Sequence, residues 1–465
     1  MNSENGLKRG LRFRDLVLFY VVVVFSVRWT ASAATAGPSI LIVWIAALTC
    51  FFIPLAASVM ELSARFPEEG GIYIWTREAF GDFSGFLCAW LYWMSNLPYF
   101  AAVLYFGAAC TLYAFGPRAH FLASSPIYFI AFSFFWLAVI TMLNIRGINI
   151  GKWLNNVGAF GSLIPLSVLL LLGVVSYCRF GPAIHLPSAS LTPHWSLDNA
   201  VFWSNVFFAF SALEAASAMG DEIQNPRRSI PLALLTGGVI LTIGYIGGTA
   251  AFLLTVPAGA VGGPDGFANG IHLMASRLGL GWLLLPVALF VALGAVGNAA
   301  ANLSSTARLP FVVGVDRYLP PAFGWIHPRY RTPWVAIGVY GLAGIVVALL
   351  GQAGTSVRGA YDVLVSMSVL SLFLPYLFLF SAMIRLQRRP AGAEVRRVPG
   401  GKPVAILLAL IGLASTAITI VLSVIPGAEE TNKPLAVAKV IGSMTLLVAL
   451  GVAVFLFSRY KTRRR

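Results

Sequence analysis

Apolar residues run along this chain in stretches far longer than a half-buried soluble helix requires, separated by short polar punctuation. A bilayer core is about 30 Å thick, and a helix needs about 20 apolar residues to cross it. Read at that length, the pattern predicts twelve spans: 15–37, 39–60, 83–114, 125–145, 152–177, 199–219, 232–256, 281–305, 332–351, 361–384, 403–425 and 434–458. Most joins are short. The exceptions include the polar segment RFGPAIHLPSASLTPHWSLDN after span 5 and a basic segment over 385–402. The expected fold class is an all-α integral membrane protein with twelve transmembrane helices.

Spans 1–5 and 6–10 form two comparable blocks on either side of that polar segment. An odd number of spans per block turns the second upside down relative to the first. Inverted repeats are a common architecture of secondary transporters, with the site near the midplane where the first helix of each block is broken. The spacing permits a five-plus-five inverted repeat, although identity between the blocks is too weak to prove one. The expected boundaries are a cytoplasmic segment 1–14, a first repeat 15–177, an extracytoplasmic loop 178–198, a second repeat 199–384, a loop with helices 11 and 12 over 385–458, and a basic tail 459–465.

Both first helices look breakable. Span 1 contains FSVRWTASAATAGPS, with Arg28 followed by small and hydroxyl residues. Span 6 contains NVFFAFSALEAASAMG, with Glu214 at its middle. A charged side chain at the centre of a span costs about 2.5–3.5 kcal/mol on insertion scales, so something should compensate. Two readings stay open: a structural ion pair locking spans 1 and 6, or charges lining a water-filled site. Where a helix unwinds, free N–H groups attract a carboxylate and free carbonyls attract an ammonium. Together these groups define an α-amino acid, and Thr30, Ala31, Ser32 and Ala33 are small enough to let one approach. Tyr92, Asn96 and Tyr99 of span 3 and Asn298 of span 8 either reach such a site or bond a neighbouring helix.

Composition agrees with lipid as the solvent: 58% of residues are hydrophobic, 11% are charged, and there are 33 Phe and 12 Trp. The net charge of +15 raises nucleic acid as a partner until the basic residues are placed. Of 32 Lys and Arg, 25 fall on the side of the N-terminus and only five on the other. That asymmetry puts both termini in the cytoplasm and removes nucleic acid as the reason for the charge. The start MNSENGLKRGLRFRDL is basic but lacks a cleavage pattern, so the first span is expected to direct insertion. Cys50, Cys88, Cys110 and Cys178 lack metal-ligand spacing and read as buried free thiols. The five His fall in expected loops, and no HExxH, GxSxG or GK[ST] motif is present, which argues against an enzyme or an ATP-driven pump. No cofactor or metal is expected. A channel is disfavoured by the broken helices and the lack of a charged ring.

Three longer motifs add a resemblance. FPEEGGIYIWTREAFG (Phe66–Gly81), FAFSALEAASAMGDEIQNPRRSIPLAL (Phe208–Leu234) and STARLPFVVGVDRYLPPAF (Ser305–Phe323) resemble the amino acid–polyamine–organocation transporters. LNIRGINIGKWLNNVGA (Leu143–Ala159) and the VRWTA of span 1 are most similar to the glutamate/γ-aminobutyrate antiporter branch. The resemblance implies a leucine-transporter-like fold, two extra C-terminal helices, and a site between helices 1, 3, 6, 8 and 10. It makes Phe208 an aromatic that closes over substrate and Glu214 a gating, proton-sensing group. Phe208 stands where relatives have Trp, Ala212 where they have Gly, and helix 1 lacks a glycine-rich signature. The candidate substrate-binding set is Arg28, Thr30, Ala31, Ser32, Ala33, Tyr92, Asn96, Phe208, Phe210, Ser211, Ala212 and Asn298.

The expected function is secondary active transport of an amino acid or amine across the plasma membrane by alternating access, with the bilayer as partner and a homodimer left open. In proton-coupled relatives a helix 5 lysine replaces a bound cation. Here Ser162 takes that position, and no Lys or Arg lies between Trp153 and Tyr177. Either the carrier is an exchanger, or Ser162 with Ser304 and Ser305 offers oxygens to sodium; a proton- or sodium-coupled symporter is the alternative.

Overall fold

The structure is a computed structural model that describes residues 10–183, 192–193, 197–315, 318–352, 356–390, 392, 395–425 and 433–463. The first nine residues, most of the loop expected over 178–198 with His185 and His194, and the last two residues of the basic tail lie outside the described residues. Among the described residues eleven helices are long and apolar enough to cross a membrane, and no strand forms. The expected sixth span is the departure, because it is too broken to count as one such helix.

The first span is itself interrupted. Helix α1 (Phe13–Val24) ends after a run of four valines, and α2 (Arg28–Ala34) resumes beyond Phe25–Val27. Stiff β-branched side chains are weak helix formers, and Arg28 begins the new helix. The second span joins α3 (Ile40–Ala47) to α4 (Ile53–Arg65) through a π-helical turn at Leu48–Phe52. That extra residue per turn turns Phe51 onto Phe373 and Phe52 onto Phe210, with ring centroids 5.0 and 5.1 Å apart. Then come α5 (Ile72–Phe80), α6 (Asp82–Phe115), α7 (Pro126–Ile145) and α8 (Ile148–Phe180).

The sixth span is α9 (Leu197–Ala209), an unwound stretch, and a 3₁₀ segment over Ala215–Glu222. Beyond it lie α10 (Pro226–Thr255), α11 (Gly266–Arg277), α12 (Leu284–Thr306), α13 (Arg308–Val315), α14 (Trp334–Gln352), α15 (Val357–Leu386), α16 (Gly401–Ser423) and α17 (Lys433–Arg463). Pro226 opens α10 at its first turn, where a missing N–H costs nothing. The two short amphipathic helices α5 and α11 escaped the hydropathy pattern. His272, expected in a loop, lies on α11. The thiols also depart from expectation: Cys88 and Cys110 are buried, Cys50 is half-buried and Cys178 is exposed.

Helices α1–α2 and α6 are the most enclosed, while α7 and α17 form part of the outer layer. Helix α6 packs against α12 and α15, and α12 packs against α8. The α8–α12 contact brings backbones together at Gly158–Gly297 and Gly161–Gly294, where any Cβ would collide with the facing main chain. In lipid, helices associate through such close packing of small residues rather than through hydrophobic exclusion.

One face is tied shut around residues 217–224. Gly10 and Leu11 donate their amides to the Glu222 carbonyl at 3.0 and 3.1 Å, and Gln224 donates back to Leu11 at 2.9 Å. The turn after α4 presses Gly71 against Ser217 and Gly220 against the Pro67 carbonyl. On this same face Glu222 pairs with Arg308 at 3.1 Å, both side chains buried, and Lys152 pairs with Asp15 at 2.7 Å.

Candidate functional site

A helix that stops in an apolar environment leaves carbonyls that need donors. The break after α1 supplies them from other helices. The Asn298 amide of α12 donates to the carbonyls of Val22 (2.7 Å) and Val23 (3.2 Å), and Asn302 donates to Val23 at 3.4 Å. Tyr245 of α10 reaches the Val24 carbonyl at 2.8 Å and the Ala209 carbonyl, at the second break, at 3.0 Å. It also accepts the Ser26 amide at 3.3 Å. One phenol thus touches both broken helices.

The second break turns at Ala212, whose φ of 66° lies in the left-handed region. Its amide donates to the Tyr376 hydroxyl of α15 at 2.7 Å, and that hydroxyl donates to Glu214 Oε1 at 3.1 Å. The Tyr92 hydroxyl lies within hydrogen-bonding reach of the same carboxylate. Ser211 bonds the Phe208 carbonyl at 2.6 Å. An L-residue in this conformation carries roughly 1–2 kcal/mol of strain that glycine lacks. Ala212→Gly is therefore expected to raise Tm, corresponding to about 1 kcal/mol of added stability. A thermal melt in detergent checks this, and a lower Tm would show that the methyl group is needed.

Arg28 lies on the far side of the first break. Its side chain is buried beside the hydroxyls of Tyr99 and Tyr361, and among the described residues no acidic group pairs with its guanidinium. The guanidinium carbon sits 4.2 Å from the Trp29 ring centroid, 5.2 Å from that of Tyr99 and 5.9 Å from that of Tyr361. Phe208 closes the group, 5.7 Å from Trp29 and 5.9 Å from Tyr99. A cation over an aromatic face gains about 0.5–2 kcal/mol, and only Trp29 is close. Burying a charge costs several kcal/mol, more than the rings alone supply. An anion is the complementary ligand.

Arg28 and Glu214 do not form the ion pair that sequence reasoning had left open. Helix α1 starts at the face where the N-terminal segment meets Glu222, whereas α9 runs back towards that face. Residues beyond the two breaks therefore lie in opposite halves of the molecule. The other candidates divide between site and scaffold. Thr30 bonds the Val27 carbonyl at 2.6 Å and packs against Gly248 of α10. Ala31 and Ala33 are buried on α2 and Ser32 is half-buried. Phe210 packs against Trp44 (5.3 Å), Phe52 and Tyr245 (5.3 Å). Asn96 donates to Thr306 at 3.1 Å, and Asn298 is committed to the α1 carbonyls.

The sodium alternative also meets its geometry here. Ser162 touches the Gly294 position, ten residues before Ser304 on α12, which is about 15 Å along a helix. Ser304 meanwhile accepts Arg308 at 3.2 Å, and Ser305 bonds the Ala301 carbonyl at 3.1 Å. These hydroxyls cannot share one ion. Trp29, Tyr245, Tyr361, Tyr376 and Asn302 were missed by sequence reasoning. A hydroxyl or amide mid-span was the signal: Tyr245 lies between Gly244 and Gly247, and Tyr376 follows Pro375.

Residues 11–450 match the amino acid permease family. An uncharacterized transporter of Legionella pneumophila is 28% identical over 430 residues, 91% of each chain. A probable agmatine/putrescine antiporter of Lactococcus lactis is 24% identical over 390 residues, 83% of this chain and 81% of the relative. A serine/threonine exchanger of Bacillus subtilis is 25% identical over 407 residues, 84% of this chain and 86% of the relative. With its bundle of membrane-length helices, the chain belongs to the amino acid permease family of the amino acid–polyamine–organocation superfamily, and it is a transporter rather than an enzyme.

Proposed function

We propose that this protein exchanges α-amino acids across the plasma membrane by alternating access, with the substrate carboxylate on Arg28. The observation that carries the proposal is the buried guanidinium, ringed by Trp29, Tyr99, Tyr361 and Phe208 and without a carboxylate among the described residues. Phe208 covers the substrate, and Glu214 with Tyr92 and Tyr376 gates and senses protons on the opposite side of the breaks. The architecture is twelve spans in a five-plus-five inverted repeat with two further helices. Support comes from the packing, in which α6 meets α15 as α12 meets α8. The short helices α5 and α11 likewise follow the second span of each block. Both termini are cytoplasmic by the charge asymmetry. The motifs of spans 1 and 4–5 favour the glutamate/γ-aminobutyrate antiporter branch.

Similarity to a probable antiporter and to an exchanger favours exchange, as do the α1 carbonyls. The amides of Asn298 and Asn302 already occupy positions a coupling cation would need. Amine substrates without a carboxylate are disfavoured. At 5 Å and an effective dielectric constant of about 20, Arg28 repels an ammonium by about 3 kcal/mol, more than a hundredfold in affinity.

Proteoliposomes loaded with unlabelled amino acid should take up labelled substrate much faster than empty ones, with no sodium requirement. A thermal-shift screen of amino acids, their decarboxylation products and polyamines should choose the substrate, with stabilisation by at least one α-amino acid. Sodium-driven uptake into empty vesicles would overturn exchange. Stabilisation by putrescine or agmatine alone would overturn the carboxylate assignment.

A further inference from the structure

Two cavities outside the site adjoin each other where α4 meets the segment leading into α16. The first is an apolar groove of about 500 Å³ between α4, α10 and α16, walled by Ala56, Met60, Leu235, Val239, Val398 and Leu408. It runs from Leu234 to Ile243 along α10, about 13 Å at helical rise, close to the thickness of one leaflet's hydrocarbon. The second is a polar pocket of about 280 Å³ lined by Arg65, Arg388, Arg389, Arg397 and Lys402.

The two share walls. Met60 lines the groove and Glu61 the pocket; Val398 and Pro399 line the groove, while Arg397 and Gly401 line the pocket. Glu61 is the sole acid among the described lining residues. Its Oε1 takes Arg65 Nε at 3.0 Å and Gln387 at 2.7 Å, and its Oε2 takes the Val398 amide at 3.0 Å. Arg389 is drawn outward to Glu78 at 2.9 Å. Glu61 is thus saturated by neutral and cationic donors, and the pocket keeps a cationic surplus beside an apolar trough of leaflet length.

We propose that this composite cavity binds one anionic phospholipid of the adjacent leaflet. Its phosphate lies between Arg388 and Lys402, and one acyl chain lies along the groove against Val239 and Leu408. Charge complementarity selects an anionic headgroup, because basic pockets between membrane helices attract such lipids. The groove selects the lipid over free phosphate. Bound there, the lipid bridges α4, α10 and α16.

The test titrates the purified full-length protein, in mild detergent, with dioleoyl phosphatidylglycerol, dioleoyl phosphatidylcholine and inorganic phosphate, reading Tm. Phosphatidylglycerol should raise Tm saturably, with little response to the other two. Arg388→Ala with Lys402→Ala should move the titration midpoint about thirtyfold higher, at about 1 kcal/mol per cation. Val239→Trp, which fills the groove from its exposed wall, should weaken the response while leaving the basic pocket intact. A wild-type midpoint in the double variant would overturn the proposal. So would an equal shift from phosphatidylcholine or from phosphate alone.

Discussion

Arg28→Ala is expected to abolish amino acid exchange in proteoliposomes while leaving Tm within a few degrees of wild type. The reason for the second half is that Arg28 has no carboxylate partner among the described residues. Its removal strands no buried acid, in contrast to a pair in which truncating one member costs about 3–5 kcal/mol. A hydrogen bond to a charged group contributes about 1.5–3 kcal/mol, so substrate affinity should fall about tenfold to more than a hundredfold. The thermal shift given by the wild-type substrate should vanish with transport. Arg28→Lys keeps the charge but loses the planar fork that grips both carboxylate oxygens, and should transport weakly. Normal exchange by a folded Arg28→Ala protein would remove the residue from the site.

Glu222→Ala should have the opposite profile, with a large loss of stability. It leaves Arg308 buried without its carboxylate, at a cost of about 3–5 kcal/mol. Replacing both members, by Glu222→Leu with Arg308→Met, should recover much of that loss. A melt in which the single variant matches wild type would show that the pair contributes little. The neighbouring Glu69 adds a pH dependence. Burial pushes its carboxyl well above the usual carboxylate range; Glu222 and Asp221 push it further, and Arg308 and the Asp221 amide oppose them. A group whose folded value is raised contributes stability that is fully present below its unfolded value, about 4.3 for Glu. That contribution is lost as pH rises through the folded value. Glu69→Gln should therefore match wild type near the acidic end and become progressively more stable than wild type towards pH 8. Parallel Tm curves against pH would contradict this.

Much of the helical architecture was legible because hydropathy at membrane length leaves few alternatives. Eleven spans coincide with structural helices, and both predicted breaks occur. The short helices α5 and α11 were not legible, since twelve or fewer residues with an amphipathic pattern look like loop beside such spans. The site was half legible. Arg28 and Glu214 announced themselves as charges in apolar runs, and Phe208 through a motif. Tyr99 was one of several polar candidates in span 3, but Tyr361 and Tyr376 gave no signal, because they come from a helix far away in sequence and one aromatic in an apolar run resembles any other. The supposed Arg28–Glu214 pair failed for a topological reason. Antiparallel broken helices send the residues after their breaks in opposite directions, and a one-dimensional reading that places both charges at the midplane loses this.

The Tyr245 hydroxyl has one hydrogen and lies within reach of two carbonyls, Val24 at 2.8 Å and Ala209 at 3.0 Å. Its one hydrogen serves one of them at a time or is shared between both. A neutral hydrogen bond differs from its absence by about 1 kcal/mol, so the two arrangements are close in energy. The two unwound segments are therefore joined through a single donor, and any displacement of one broken helix against the other must redistribute that hydrogen between their carbonyls.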